Sequence, residues 1–228
     1  MTDADAKPKI AVVLSGCGVL DGAEIHESVL TLLALDRHGA DYECYAPNID
    51  QAHVVNHLSG EETAETRNVL VESARIARGD IKELKDFDAG SVDAVIFPGG
   101  YGAAKNLCTF AFDGPECSVN AEVERVVRDM AAAKKPIGAL CISPALMARI
   151  LDGAQVTIGQ DAETAEAIEK MGGMHKPTTQ GEIVVDTDRG LVTTPCYMLD
   201  STISQIAEGA ENTVKAVLDL VKEGRVAA

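Results

Sequence analysis

Cys141 stands where a short apolar run, residues 136–140 (PIGAL), gives way to a helical pattern over 144–151, with Gly138 three positions before it. A small nucleophile at such a strand-to-helix turn is presented above the edge of a sheet. The helix N-terminus carries positive potential, which favours thiolate and predicts a lowered thiol pKa. Free backbone N–H groups in that turn can hold an oxyanion. Pro144 suits its place, because the first turn of a helix tolerates proline. The competing reading is a core cysteine at a strand end.

Two other clusters offer partners. Phe97-Pro98-Gly99-Gly100-Tyr101-Gly102 follows the apolar run 92–97. Its glycines let backbone N–H groups come close to a ligand, so Gly99 and Gly100 can line an anion nest; an ordinary turn explains them equally well. Glu24 and Glu27 flank His26 at the start of a helical pattern, and their i, i+3 spacing puts both carboxylates near one face. In an open α/β sheet the first strand–helix loop and the Cys141 turn share the carboxyl edge of the strands. One of the two glutamates is therefore expected to reach Cys141, unless both only complement the helix dipole.

Of the histidines, His175 follows Cys141 in the chain and is a candidate base or substrate contact. His53 and His57 have the i, i+4 spacing of helical metal ligands but no third ligand nearby, so no metal is expected. Ser15-Gly16-Cys17-Gly18 lacks the third glycine of a dinucleotide fingerprint.

The elements that must carry these groups alternate. Strands are expected over 10–14, 42–46, 92–97, 136–140, 156–158, 183–185 and 191–194. Helices are expected over 24–38, 69–77, 121–133, 144–151, 162–171 and 201–221. Continuous apolar strands interleaved with helices predict one α/β domain with a mostly parallel sheet. Residues 1–8 read as a loose tail, and 48–90 as an insertion with one helix.

Composition narrows the function. The chain has 228 residues, 46% of them hydrophobic, and a net charge of −16. That acidity argues against binding nucleic acid or an anionic membrane, for lack of a basic patch to neutralise phosphates. No apolar run approaches the roughly 20 residues that span a bilayer. The polar start MTDADAKPK has neither a basic lead nor an apolar core, so a cytoplasmic location is expected. The six cysteines form no CxxC pair and are expected to be mostly small buried hydrophobes.

Together, GAEIHESV, the strand-end FPGG and the segment IGALCISP resemble the ThiJ/PfpI superfamily, relatives of the class I glutamine amidotransferase domain. DGAEIHESVLTLLALDRHGA, Asn56-His57-Leu58 with Gly60-Glu61, FPGGYGAAKNL and Gly209-Ala210-Glu211-Asn212 are similar to its ElbB-type, glyoxalase-like branch. The resemblance covers residues 9–222. It implies a flavodoxin-like three-layer sandwich with helices on both faces of the sheet, as a single domain over 9–228 and a homodimer. It also assigns Cys141 as the reactive cysteine and Glu27 as its carboxylate, with Glu24 as second choice. Gly99 and Gly100 form the Pro-Gly-Gly turn, and Gly100 and Ile142 supply oxyanion N–H groups.

The chain departs from the superfamily in two places. It lacks the His-x-Glu of amidotransferases, since His175 is followed by Lys176-Pro177, and it has Ile142 where many members carry histidine. The expected activity is a glyoxalase that needs no cofactor and no glutathione, turning small 2-oxoaldehydes into 2-hydroxy acids. A Cys–Glu contact needs one group protonated, so Glu27 is expected to have a raised pKa. The alternatives are a redox-sensing regulatory dimer built on Cys141, or an amidotransferase-like subunit. A tie to isoprenoid metabolism is also suggested by the resemblance alone.

Overall fold

A computed structural model describes residues 7–227 of the chain. Most of the expected tail therefore lies outside the described residues. The strands of the main sheet are β1 (Lys9–Val13), β2 (Asp41–Ala46), β3 (Ile81–Glu83), β4 (Ala94–Phe97), β5 (Ile137–Leu140), β8 (Val184–Asp186) and β9 (Leu191–Thr194). Their spatial order is β3-β2-β1-β4-β5-β9-β8. All neighbours are parallel except β8, which pairs antiparallel with β9. Two short strands, β6 (Gln155–Val156) and β7 (Met174–His175), form a separate parallel ribbon.

The helices are α1 (Ile25–Arg37), α2 (Val69–Ile76), α3 (Tyr101–Lys105), α4 (Phe110–Asp113), α5 (Ala121–Ala132), α6 (Ser143–Ile150), α7 (Ala162–Lys170) and α8 (Ile203–Ala227). Strand side chains alternate between two faces, and so feed two cores. Ala11, Val13, Val95 and Phe97 pack towards Val123, Val127 and Met130 of α5 and Leu146 of α6. Ile10, Val12, Leu14 and Ile96 pack towards Leu35 of α1 and Ile206, Val214 and Val217 of α8. These three layers are the flavodoxin-like α/β fold. β1, β4, β5 and β9 are buried on both faces, which is why they read as continuous apolar runs.

Four elements were not expected, one of them the short helix α4. The region 48–90 holds α2 and also supplies the edge strand β3, paired with β2. The glycine-rich stretch after β4 closes into α3, held by the Gly102 N–H donating to Gly22 O at 2.8 Å. His175 lies in β7, a strand outside the expected set.

The chain winds outward from β1 through β2 to β3, then returns to β4 and continues to β5 and β9. The direction reverses between β1 and β4, and their carboxyl ends leave a crevice there. The loops after both strands meet in it. The Glu24 N–H donates to Gly99 O at 2.9 Å and the Tyr101 N–H to Val19 O at 2.8 Å.

Candidate active site

Cys141 closes β5 with φ of +61°, in the left-handed region that side chains avoid. Such a conformation costs about 1–3 kcal/mol and persists only where the surroundings fix it. The fixing contacts are local. The Cys141 N–H donates to Thr194 O of the neighbouring strand at 2.9 Å. The buried Ser143 hydroxyl donates to Pro98 O at 2.8 Å, tying the start of α6 to the Pro-Gly-Gly turn. The result is a sulfur that meets the backbone N–H groups of Gly100 and Ile142. Both N–H groups were expected to serve an oxyanion, and both converge on the sulfur.

Glu27 rises from the first turn of α1 into the same crevice and is fully buried. Its Oε2 accepts the Gly99 N–H at 2.9 Å, and its Oε1 accepts the Tyr197 N–H at 3.3 Å. Its carboxyl also hydrogen-bonds the Cys141 thiol. Burial, and next the charge of Glu24, push Glu27 up to about 7, against the pull of the Tyr197, Cys141 and Gly99 hydrogen bonds. The upward direction is the expected one.

The expected lowering of the Cys141 pKa is corrected. Burial, and then the Glu27 carboxylate, push this thiol well above the usual range, while the Gly100 and Ile142 N–H groups pull it down. With only 7% of Cys141 exposed, loss of water outweighs the helix terminus. Cys141 and Glu27 thus hold a proton between them.

Glu24 does not face the thiol. It is the N-cap of α1, and its Oε2 accepts the Glu27 N–H at 2.7 Å. His175 is also corrected. The turn at Gly172-Gly173 carries it into the β6–β7 ribbon opposite Val156, with Nε2 buried and unpartnered, and it takes no part in the contacts of Cys141. Burial lowers its pKa. His53 and His57 sit in a loop, where His53 approaches Glu62 and His57 Nε2 accepts the Leu20 N–H at 3.1 Å. Among the described residues no group of three or more His, Cys, Asp or Glu side chains is placed to hold a metal ion.

The crevice also contains residues that sequence reasoning missed. Tyr197 and the buried Cys196 lie in a short 3-10 turn (Cys196–Met198) just beyond β9. The Tyr197 hydroxyl lies 2.8 Å from His26 Nδ1 at the exposed rim. The signal was positional: Pro195-Cys196-Tyr197 follows a buried strand at the carboxyl edge, as Pro98-Gly99-Gly100 does.

No protein-family model matches the chain. Over 224 residues it is 47% identical to the rat ES1 protein homolog, mitochondrial, covering 94% of this chain and 84% of the relative. Over 222 residues it is 47% identical to the human glutamine amidotransferase-like class 1 domain-containing protein 3, mitochondrial, covering 93% and 83%. The crystal structure of an isoprenoid biosynthesis protein with amidotransferase-like domain from Ehrlichia chaffeensis superposes with a TM-score of 0.88 at 38% identity, over 93% of this chain and 99% of that one. A ThiJ/PfpI domain protein from Brachyspira murdochii, 15% identical over 94% of this chain and 99% of that one, shares the fold with a TM-score of 0.56.

Both named curated relatives are mitochondrial, which overturns the expected cytoplasmic location. Location is read from address segments and not from a folded domain, so the composition of the first nine residues was a poor guide. With this identity along nearly its whole length, the chain belongs to the ES1-type glutamine amidotransferase-like class 1 domain family, and it shares its fold with ThiJ/PfpI domain proteins.

Proposed function

We propose that the protein is a glyoxalase acting on small 2-oxoaldehydes such as glyoxal, with Cys141 as nucleophile and Glu27 as proton shuttle. The observation that carries this reading is the buried Glu27–Cys141 hydrogen bond, with the Gly100 and Ile142 N–H groups on the same sulfur. Glu27 takes the thiol proton as sulfur adds to the aldehyde carbon, and the new oxyanion meets the two N–H groups. Protonation of that oxygen gives a hemithioacetal. Glu27 then removes the hydrogen from the same carbon, giving an enediol, and returns a proton to the neighbouring carbon. The product is a thioester of the 2-hydroxy acid. Water hydrolyses it and frees Cys141. For glyoxal the sum is one dialdehyde plus one water to glycolate, so the redox change is internal. The same steps on a glycated amine appear as deglycase activity.

Glu27 near 7 supports the shuttle, because a group that both takes and gives a proton works best close to the ambient pH. Glutamine hydrolysis is less well supported, because His175 pairs with Val156 in the β6–β7 ribbon and is not among the groups that act on the Cys141 thiol. The relatives' names suggest a mitochondrial setting for this chemistry.

The test is glycolate formation from glyoxal without glutathione, using wild type, Cys141→Ala and Glu27→Gln. Turnover in wild type that is lost in both variants supports the reading. A folded wild type that leaves glyoxal, methylglyoxal and glycated amines unchanged, while peroxide oxidises Cys141, overturns it in favour of a redox sensor.

A further inference from the structure

A second pair of sulfurs lies outside the cluster around Cys141. Cys108 and Cys117 are both buried, at 4% and 1% exposure. An antiparallel bridge between Cys108 and Val119 lays the two chain segments side by side. The Thr109 N–H donates to Ser118 O at 2.9 Å and the Asn120 N–H to Leu107 O at 2.9 Å. The intervening chain folds back through α4 and a 3-10 turn at Gly114–Glu116. The two thiols end in hydrogen-bond contact with each other.

Arg149 of α6 completes the arrangement. Its Nε donates to Cys117 O at 2.9 Å, and its guanidinium also hydrogen-bonds the Cys117 sulfur. A cavity of about 380 Å³ opens beside it, lined by Cys117, Ser118, Glu124, Arg128 and Arg149 among others. The Cys108 hydrogen bond, then the Arg149 charge, hold the Cys117 thiol below its usual range, while the same contact and burial push Cys108 up. Arg149 and the cavity both adjoin Cys117 and not Cys108, so Cys117 is the nucleophile and Cys108 the proton-bearing partner.

We propose that Cys108 and Cys117 form a thiol–disulfide site oxidised by small hydroperoxides, with Cys117 attacking, Cys108 resolving and Arg149 holding the thiolate. The Cys117 thiolate attacks one peroxide oxygen, the O–O bond breaks, and the other oxygen leaves with a proton as alcohol or water. Cys117 is now a sulfenic acid. The Cys108 sulfur attacks it, the S–O bond breaks, and that oxygen leaves as water with the Cys108 proton and the sulfenic proton. Two thiols are oxidised to one disulfide and one hydroperoxide is reduced. Cys108 also gives up the hydrogen bond that it donates to Ala103 O of α3 at 3.4 Å, so oxidation is felt in the helix that follows Gly100.

The experiment uses the full chain with Cys141→Ala, which removes the proposed catalytic thiol, and wild type beside it. Each is treated with equimolar hydrogen peroxide at neutral pH, alkylated, digested without reductant and mapped by mass spectrometry. The expected result is a peptide pair linked through Cys108 and Cys117, reversed by dithiothreitol. Arg149→Met slows its formation by about tenfold, the change that one pKa unit gives, and Arg149→Lys recovers part of the rate. Free Cys108 and Cys117 in the oxidised protein, a link to any other cysteine, or Cys117 trapped only as a sulfenic acid overturns the proposal. Wild-type mapping needs no variant to fold, so a destabilised variant does not blunt the test.

Discussion

Glu27 and Cys141, 114 positions apart in the chain, share a hydrogen bond in a crevice that also holds the Gly99 and Tyr197 N–H groups. This contact sets opposite expectations for two properties of one variant. Glu27→Gln removes the proton shuttle, so kcat on glyoxal falls by about 10²–10⁴-fold. It also removes the negative charge that holds the thiol up. Cys141 in that variant therefore alkylates with iodoacetamide faster than in wild type at neutral pH. Slower alkylation in a folded variant counts against the charge coupling.

The same carboxyl governs stability across neutral pH. Its folded pKa is raised from 4.5 to about 7, so between these values the folded state binds more protons than the unfolded one. A buried protonated Glu27 is the stable form, and its contribution is lost as pH rises. Wild type is therefore expected to lose up to about 3 kcal/mol relative to Glu27→Gln between pH 4.5 and 8. Urea unfolding of both proteins at several pH values reads it directly. A constant gap places the titration elsewhere.

Gly99 makes a steric prediction. A methyl group there overlaps the Cys141 Cβ and comes within 2.8 Å of Glu27 Oε2 and 3.0 Å of Cys141 Sγ. The thiol–carboxylate contact occupies the space of the missing side chain. Gly99→Ala is expected to cost about 1–3 kcal/mol by overpacking and to reduce turnover at least as much as it raises KM. Gly39→Ala is the control. It sits at φ of +73° with nothing within 4 Å, so it costs about 1 kcal/mol and leaves turnover unchanged. Thermal melts and initial rates separate the two.

What the sequence disclosed follows from where each signal lives. β1, β4 and β5 are buried on both faces and show as unbroken apolar runs, and Cys141 is marked by the junction of one such run with a helix. β3 is three residues, Ile-Lys-Glu, at the sheet edge, too short and polar to carry a period. α3 is disguised by Gly102, which gives no helix propensity but permits close backbone packing on Gly22. Tyr197 contributes a backbone N–H to Glu27, and no residue type announces that. The thiol's acidity was misjudged for a related reason. The helix terminus is local in sequence, whereas burial comes from β9, α1 and the Pro-Gly-Gly turn together.

Glu24 yields the last prediction, because it separates charge from capping. Its carboxylate caps α1 and also pushes Glu27 up. Glu24→Gln keeps an oxygen for the Glu27 N–H and removes the charge, whereas Glu24→Ala removes both. Loss of the cap costs about 1 kcal/mol, so only Glu24→Ala is expected to lower the melting temperature clearly. Both variants release Glu27 from its neighbour's charge, so the acid limb of kcat/KM, which reports Glu27 in the free enzyme, moves to lower pH in both. The two readouts are independent: a melt reads the cap and a pH–rate profile reads the charge. An unmoved acid limb in Glu24→Gln would show that burial alone raises Glu27, leaving Glu24 as a cap and nothing more.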